Sequence, residues 1–218
     1  MKNETPNVFD RIAPSWYNFR HFSIFRPELE ELAQRWKGGT LVNLGCGHGA
    51  DFLPFANGNF ELYGVDSSVE MLKLARKYAE KFNFKVNLYH AGVTKLPFPD
   101  ATFDWAISIA TFHHLKTKEE RGKALQELHR VLKPGGEAFI TVWNRTQPHF
   151  LLKGKETLVP WKLKDETLYR YYYLFTYSEL VKMVKEAGFT VLRVFPEKSH
   201  KGIRYFSHNI CILAKKES

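Results

Sequence analysis

An apolar run that ends in glycines constrains this chain more than any other segment. Thr40 to Leu44 is strand-like, Leu44-Gly45-Cys46-Gly47-His48-Gly49 follows at once, and a helix is expected from about Ala50 to Ala56. Glycines in that place let the backbone turn sharply and approach a bound molecule without an intervening Cβ. Phe60 to Val65 is the next strand, and it ends on Asp66, 21 residues after Gly45.

A carboxylate at that point can accept hydrogen bonds from two ribose hydroxyls, as in nucleotide-binding α/β sheets. A tight structural turn would explain the glycines alone. Strand, glycines, helix and distant acid together favour a nucleotide. Read as Gly45-x-Gly47-x-x-Ala50, the string also meets the dinucleotide fingerprint, so NAD stands beside an adenosyl ligand.

The remaining chain keeps a strand–helix rhythm, which predicts a mostly parallel sheet. Ser67 and Ser68 can cap a helix reaching about Lys81, with Glu70 completing a capping box from Ser67. Phe84 to Tyr89 alternates as a third strand. Phe103 to Ala110 is a fourth, Lys118 to Leu132 a helix stopped at Pro134 and Gly135, and Glu137 to Trp143 a fifth strand. Residues 145–175 break the rhythm and read as an insertion rich in Lys, Trp and Tyr. A helix at Ser178 to Ala187, a strand at Thr190 to Phe195 and a last strand near Asn209 to Ala214 follow, the two strands antiparallel. Residues 6–37 are expected to be helical and to pack outside the sheet. The division is therefore a single domain: cap 1–37, core 38–144, basic aromatic insertion 145–175, and C-terminal helix and strand pair 176–218.

Charge is uneven. Of 32 Lys/Arg and 23 Asp/Glu, residues 145–218 hold 14 and 7, a net of +7, whereas residues 1–144 net only +2. A basic C-terminal third suits a polyanion, since each phosphate neutralised releases counterions. A solvated Lys-rich surface has the same composition. Met1 to Asp10 lacks the apolar stretch of a secretory signal, and no apolar run approaches the ~20 residues of a membrane span. Two cysteines, Cys46 and Cys211, make neither a disulfide framework nor a zinc pattern. The expectation is a cytoplasmic protein without a metal and without a membrane partner.

Leu96-Pro97-Phe98-Pro99-Asp100, Phe103-Asp104 and Leu132-Lys133-Pro134-Gly135-Gly136 join the glycine string in one familiar series. Over residues 40–144 this resembles the class I S-adenosylmethionine-dependent methyltransferases and decides against NAD. The resemblance implies a Rossmann-like α/β fold: seven mostly parallel strands, helices on both faces and an antiparallel C-terminal strand. Lys133 to Gly136 is read as a structural helix stop away from the cofactor. Two departures stand out. Asn43 occupies a place where the family usually has an acid. Gly92 stands where it often has Asp, so adenine recognition would rest on backbone around Val93.

A narrower likeness runs along nearly the whole chain. Ile12-Ala13-Pro14, Arg20-His21, Ala106 to Ala110 with His113-His114, Pro160-Trp161, Tyr169-Arg170-Tyr171-Tyr172 and Asn209 recur in this order. Together they resemble the tRNA wobble-uridine methyltransferases, which esterify 5-carboxymethyluridine in the anticodon. The resemblance implies S-adenosyl-L-methionine held by Tyr17, Asn43, Gly45, Cys46, Gly47, Gly49, Asp66, Ser67, Gly92, Val93 and Ile109. It implies Arg20, His113 and His114 as catalytic residues, and Arg170, Tyr171, Tyr172 and Asn209 as contacts to a tRNA anticodon loop. It also implies a small zinc-binding activator subunit at the sheet edge near Phe84 to Tyr89, where Phe84, Val86 and Leu88 share one face.

Other readings of these residues remain open at this level. The histidines, just past strand four, sit where open α/β sheets bind ligands, yet a histidine in such a loop is often structural. Arg20 could be a surface helix residue. Tyr171 and Tyr172 could be core, or could stack on bases of a single-stranded loop. A carboxylate acceptor is already ionised at neutral pH, so Arg20 and a histidine would orient it without removing a proton. A small-molecule methyltransferase acting on a quinone, sterol or carboxylic acid would share the same core. A non-catalytic nucleotide-binding module, and an RNA-binding protein without chemistry, complete the alternatives.

Overall fold

The computed structural model describes residues 7–151 and 154–217; the expectations for residues 1–6 of the cap and 152–153 of the insertion lie outside them. Seven strands form one sheet in the order β3-β2-β1-β4-β5-β9-β8. In chain order they are β1 Gly38–Leu44, β2 Asn59–Asp66, β3 Asn87–His90, β4 Phe103–Ile109, β5 Leu132–Trp143, β8 Phe189–Pro196 and β9 Asn209–Lys216. The first five run parallel, and β9 inserts antiparallel between β5 and β8. Strand order reverses between β1 and β4, and a crevice at the carboxyl ends of such strands is where these sheets take ligands. Because β9 is antiparallel, its first residue meets the last of β5, Asn209 opposite Trp143. That reversal alone carries Asn209 to the ligand edge.

Alternation along the strands divides the core into two layers. Val42, Leu44, Ala106, Ile140 and Val142 face α4 (Lys118–Val131) and α5 (Tyr177–Glu186). Leu41, Ile107 and Phe139 face α2 (Arg26–Trp36), Phe52, Phe55 and Leu72 of α3 (Val69–Lys81). A third cluster joins α1 (Val8–Phe19) to the rest through Ile12, Ala13, Met71 and Leu168.

Several local expectations are corrected. Ala50–Phe55 is a 3-10 turn, because Pro54 has no N–H for an α-helical bond. Ser68, not Ser67, caps α3 by accepting from the Met71 amide at 3.1 Å. The Asp66 carboxylate takes the Ser68 amide at 2.8 Å and so sets Ser68 in the cap, while the Asp10 carboxylate takes both the Ser68 hydroxyl and the Glu70 amide. β3 starts only at Asn87, since the Phe84 amide is spent on Ala79 O at the exit of α3 and Asn83 turns with φ +54°. Phe84, Val86 and Leu88 still pack inward along that edge.

The largest correction is in the insertion. Residues 156–173 form an antiparallel hairpin, β6 Glu156–Lys162 and β7 Thr167–Tyr173. Leu168, Arg170 and Tyr172 point inward while Thr167 and Tyr169 are exposed. The alternation is hidden in sequence because one inward residue is an arginine and because Pro160 interrupts β6, which a two-stranded edge tolerates. Among the described residues, no helix is long and apolar enough to cross a membrane.

Candidate active site

The carboxyl ends of β1, β2, β4 and β5 open into a cavity of about 630 Å³, roofed by α1 and the hairpin. Its floor is the loop after β1. Gly45, Gly47 and Gly49 all have positive φ, at +73°, +53° and +86°. A Cβ on Gly45 would meet Thr111 Oγ1 at 2.2 Å, whereas one on Gly47 would meet nothing within 4 Å. Gly45 is therefore a packing requirement, and Gly47 leaves room for a ligand against bare backbone.

Asp66 closes this floor. Its carboxylate accepts from the Gly47 amide and from the Ser68 amide, both at 2.8 Å, and burial raises its pKa against the pull of those two N–H groups. It faces the cavity with Ser67, Gly92, Val93 and Ile109. Cys46 lies there too, and burial holds its thiol protonated by raising its pKa well above the usual value. Asn43 and Gly49 stand behind the lining. Tyr17 is not brought to the cavity; its ring packs edge-on to His48 at 5.6 Å. Lys133 pairs with Asp104 at 2.8 Å, at the other end of β4, as a structural contact should.

Opposite Asp66 the wall is aromatic and cationic. Phe112–His114 forms a short turn after β4. The His113 ring stacks on Tyr172 at 4.7 Å and lies 4.4 Å from His114. Arg170 is buried among Trp16, Trp161 and Tyr172, 5.5, 5.0 and 5.3 Å from their ring centres, and donates to the Tyr172 hydroxyl at 2.9 Å. Arg20 and Asn209 complete the wall. Tyr171 departs from its expected place: its hydroxyl donates to Lys116 O and its ring joins the main core, because β7 alternates and only Arg170 and Tyr172 face inward. Arg170 and Tyr172 are likewise no surface platform but buried cavity groups.

Electrostatically the histidines are held neutral. Burial first, then His114 and Arg170, lowers the His113 pKa far below its usual value. Burial likewise brings His114 and His48 to about 4. Burial lifts Asp51 to about 6, although Ser23, Asn43 and Arg20 beside it pull down.

Five of the ten buried side-chain atoms without a hydrogen-bond partner among the described residues belong to this one lining: Arg20 Nε, His48 Nε2, His113 Nε2, Arg170 Nε and Asn209 Oδ1. Buried polar groups are seldom left unpaired, so their convergence marks a binding site. His48, Asp51 and Trp16 are among the lining residues that motif reading misses. His48 sits inside the glycine string but is overshadowed by it, and only burial distinguishes Asp51.

Residues 42–140 match the family model described as methyltransferase domain. The chain is 31% identical over 215 residues to the tRNA (carboxymethyluridine(34)-5-O)-methyltransferase of Schizosaccharomyces pombe, covering 85% of this chain and 88% of that protein. The chain belongs to the class I S-adenosylmethionine-dependent methyltransferases. It is also 34% identical over 161 residues to the protein named probable tRNA methyltransferase 9B of Mus musculus, 73% of this chain but only 34% of that longer protein. An S-adenosylmethionine-dependent methyltransferase from Clostridium acetobutylicum superposes with a TM-score of 0.76 at 14% identity, over 97% of this chain and 100% of that one, and shares the fold.

S-adenosylmethionine is the cofactor of this methyltransferase, and its residues fit that molecule. Asp66 offers a carboxylate for a ribose diol, Gly47 and Gly92 leave open space where a Cβ would stand, and Val93 and Ile109 offer apolar surface. Among the described residues no cluster could hold a metal ion.

Proposed function

We propose that this methyltransferase acts on tRNA and esterifies the carboxylate of 5-carboxymethyluridine at the anticodon wobble position. The observation that carries this reading is the unpaired cationic wall. Burial, with the charge of Arg20 nearby, lowers the pKa of Arg170, and among the described residues neither arginine has a carboxylate within ion-pair distance. A buried guanidinium without a counter-charge is costly, and a bound anion relieves it. An acceptor carboxylate is such an anion.

S-adenosylmethionine, when bound, supplies a methyl group made electrophilic by its positive sulfur. The chain's task is then alignment of the nucleophile rather than proton removal. With a pKa of about 4 the acceptor is already ionised at neutral pH. Arg20, Arg170 and the Nε2–H of His113 hold the carboxylate, while Trp143 and Tyr172 keep water from it. Outside the cavity, the exposed Tyr169 on β7 offers a face on which a loop base can stack, and the basic C-terminal third takes the phosphates. The names of the yeast and mouse relatives support the tRNA part of the reading. On the same reading the β3 edge is the docking strip for a small zinc-binding activator.

The test is mass analysis of wobble nucleosides after carboxymethylated tRNA is incubated with enzyme and methyl-labelled cofactor. The expected product is the labelled methyl ester. Label found on free carboxylic acids or quinones, with the wobble position unchanged, overturns the assignment in favour of a small-molecule acceptor.

A further inference from the structure

Three carboxylates line the cavity: Asp51, Asp66 and Glu120. Asp66 is tied to the glycine loop. The Glu120 carboxylate accepts from the Lys116 and Thr117 amides at 2.9 and 3.0 Å, closing the cap of α4. Asp51 closes no helix cap and ties down no glycine loop; its side-chain neighbours are the neutral Ser23 and Asn43. It stands in the first turn after Gly49, with Arg20 close enough to act on its charge; Cys46 and Tyr78 are the other titratable groups that feel its charge. Among the described residues it forms no ion pair. Asn43 is fully buried, and neither its amide nitrogen nor its oxygen finds a close partner.

The amino-acid end of S-adenosylmethionine carries an ammonium group. A cation taken into this cavity needs a counter-charge, as any buried charge does. With Asp66 and Glu120 engaged, we propose that Asp51 is the residue that receives the cofactor's α-ammonium, with Asn43 contributing an amide but no charge. The inference rests on the cofactor and is independent of the acceptor. The raised pKa of Asp51 agrees with this, since a desolvated acid without an ion-pair partner gains from an arriving cation.

The test compares two ligands by calorimetry: S-adenosylhomocysteine, which has the ammonium, and 5′-methylthioadenosine, which lacks the amino-acid part. Asp51→Asn is expected to weaken S-adenosylhomocysteine about 10- to 100-fold, the scale of a lost charged hydrogen bond, while 5′-methylthioadenosine binds within about twofold of the parent. Moving the charge back with Asn43→Asp in the Asp51→Asn background is expected to recover most of the loss. Unchanged S-adenosylhomocysteine binding in Asp51→Asn overturns the proposal. Equal loss of both ligands also overturns it, because Asp51 would then support the fold of the site and not the ammonium.

Discussion

The backbone N–H of Trp143 points at Nδ1 of His113 across 3.3 Å. Nδ1 is thereby the acceptor, so the proton of this neutral imidazole sits on Nε2, the unpartnered atom at the cavity. His114 is the mirror case. Its Nδ1 meets the Tyr171 carbonyl at 3.0 Å and must be the donor, which leaves a lone pair on Nε2. The pair therefore offers one donor and one weak acceptor.

This arrangement predicts a flat rate profile. With His114 at about 4 and His113 held well below its usual value by burial, neither changes charge between roughly pH 6 and 9. His113→Phe keeps the stacking on Tyr172 and removes the Nε2–H; kcat is expected to fall about 10- to 100-fold with no new pH dependence. A limb near pH 6.5 in wild-type kcat, measured with saturating acceptor, would identify a working imidazole base instead.

On the proposed function, a substitution at Arg170 should separate acceptor binding from cofactor binding. Arg170→Met retains apolar packing between Trp16 and Trp161 and removes the buried charge. Acceptor kcat/KM is expected to drop about 100-fold, S-adenosylhomocysteine affinity to stay within about twofold, and the melting temperature to hold or rise, since a buried cation without a counter-charge is gone. Arg170→Lys should not rescue, because an ammonium cannot reproduce the planar guanidinium between two indoles. A lower melting temperature together with lost cofactor binding would make Arg170 a scaffold residue.

Two glycines in one loop should behave differently. Gly45→Ala drives a Cβ into Thr111, so chemical denaturation is expected to show a loss of about 3 kcal/mol or more. Gly47→Ala meets no neighbour and pays only the left-handed backbone, about 1–2 kcal/mol. Its methyl nevertheless enters the cavity, and cofactor affinity is expected to fall out of proportion to stability. Equal stability losses with unaltered binding in Gly47→Ala would remove the glycine floor from the cofactor site.

Acid should destabilise the fold well above the carboxylate range. His48 and His114, held at about 4 against a free value of 6.5, leave the unfolded chain to take protons first. Stability is therefore full above pH 6.5 and falls as pH drops toward 4, by up to roughly 1.4 kcal/mol per pH unit for each group. His113 acts in the same direction. Asp51, raised to about 6, opposes them: its contribution is present at low pH and lost as pH rises through 6. Urea midpoints from pH 7 to 4.5 should fall with a net uptake of about two protons on unfolding. His48→Asn should flatten that slope, and an unchanged slope would show that His48 is not held neutral.

Much of the cofactor half could be read from residue order. β1, the glycine string, β2 and Asp66 follow one another closely in the chain, and their placement depends on local backbone geometry, so the motif and the cavity floor coincide. The acceptor half was less legible. Tyr17 and Tyr171 were expected in the site and pack elsewhere, whereas Trp16 and Asp51 line it unannounced. One residue on a helix turns a side chain by about 100°, and one step on a strand moves it to the opposite face; position in sequence does not say which face a hairpin turns inward.

The sequence by itself determined the nucleotide-type sheet, the glycine loop after β1 and the family likeness, because these depend on short-range spacing of glycines, apolar runs and one acid. Only the tertiary structure decided the rest. It folded residues 156–173 into a hairpin over the cavity, carried Asn209 to the ligand edge by reversing β9, and gathered Arg20, the buried Arg170 and two imidazoles on one wall. Those groups come from segments far apart in the chain, and their charge states follow from a shared burial that no local pattern encodes.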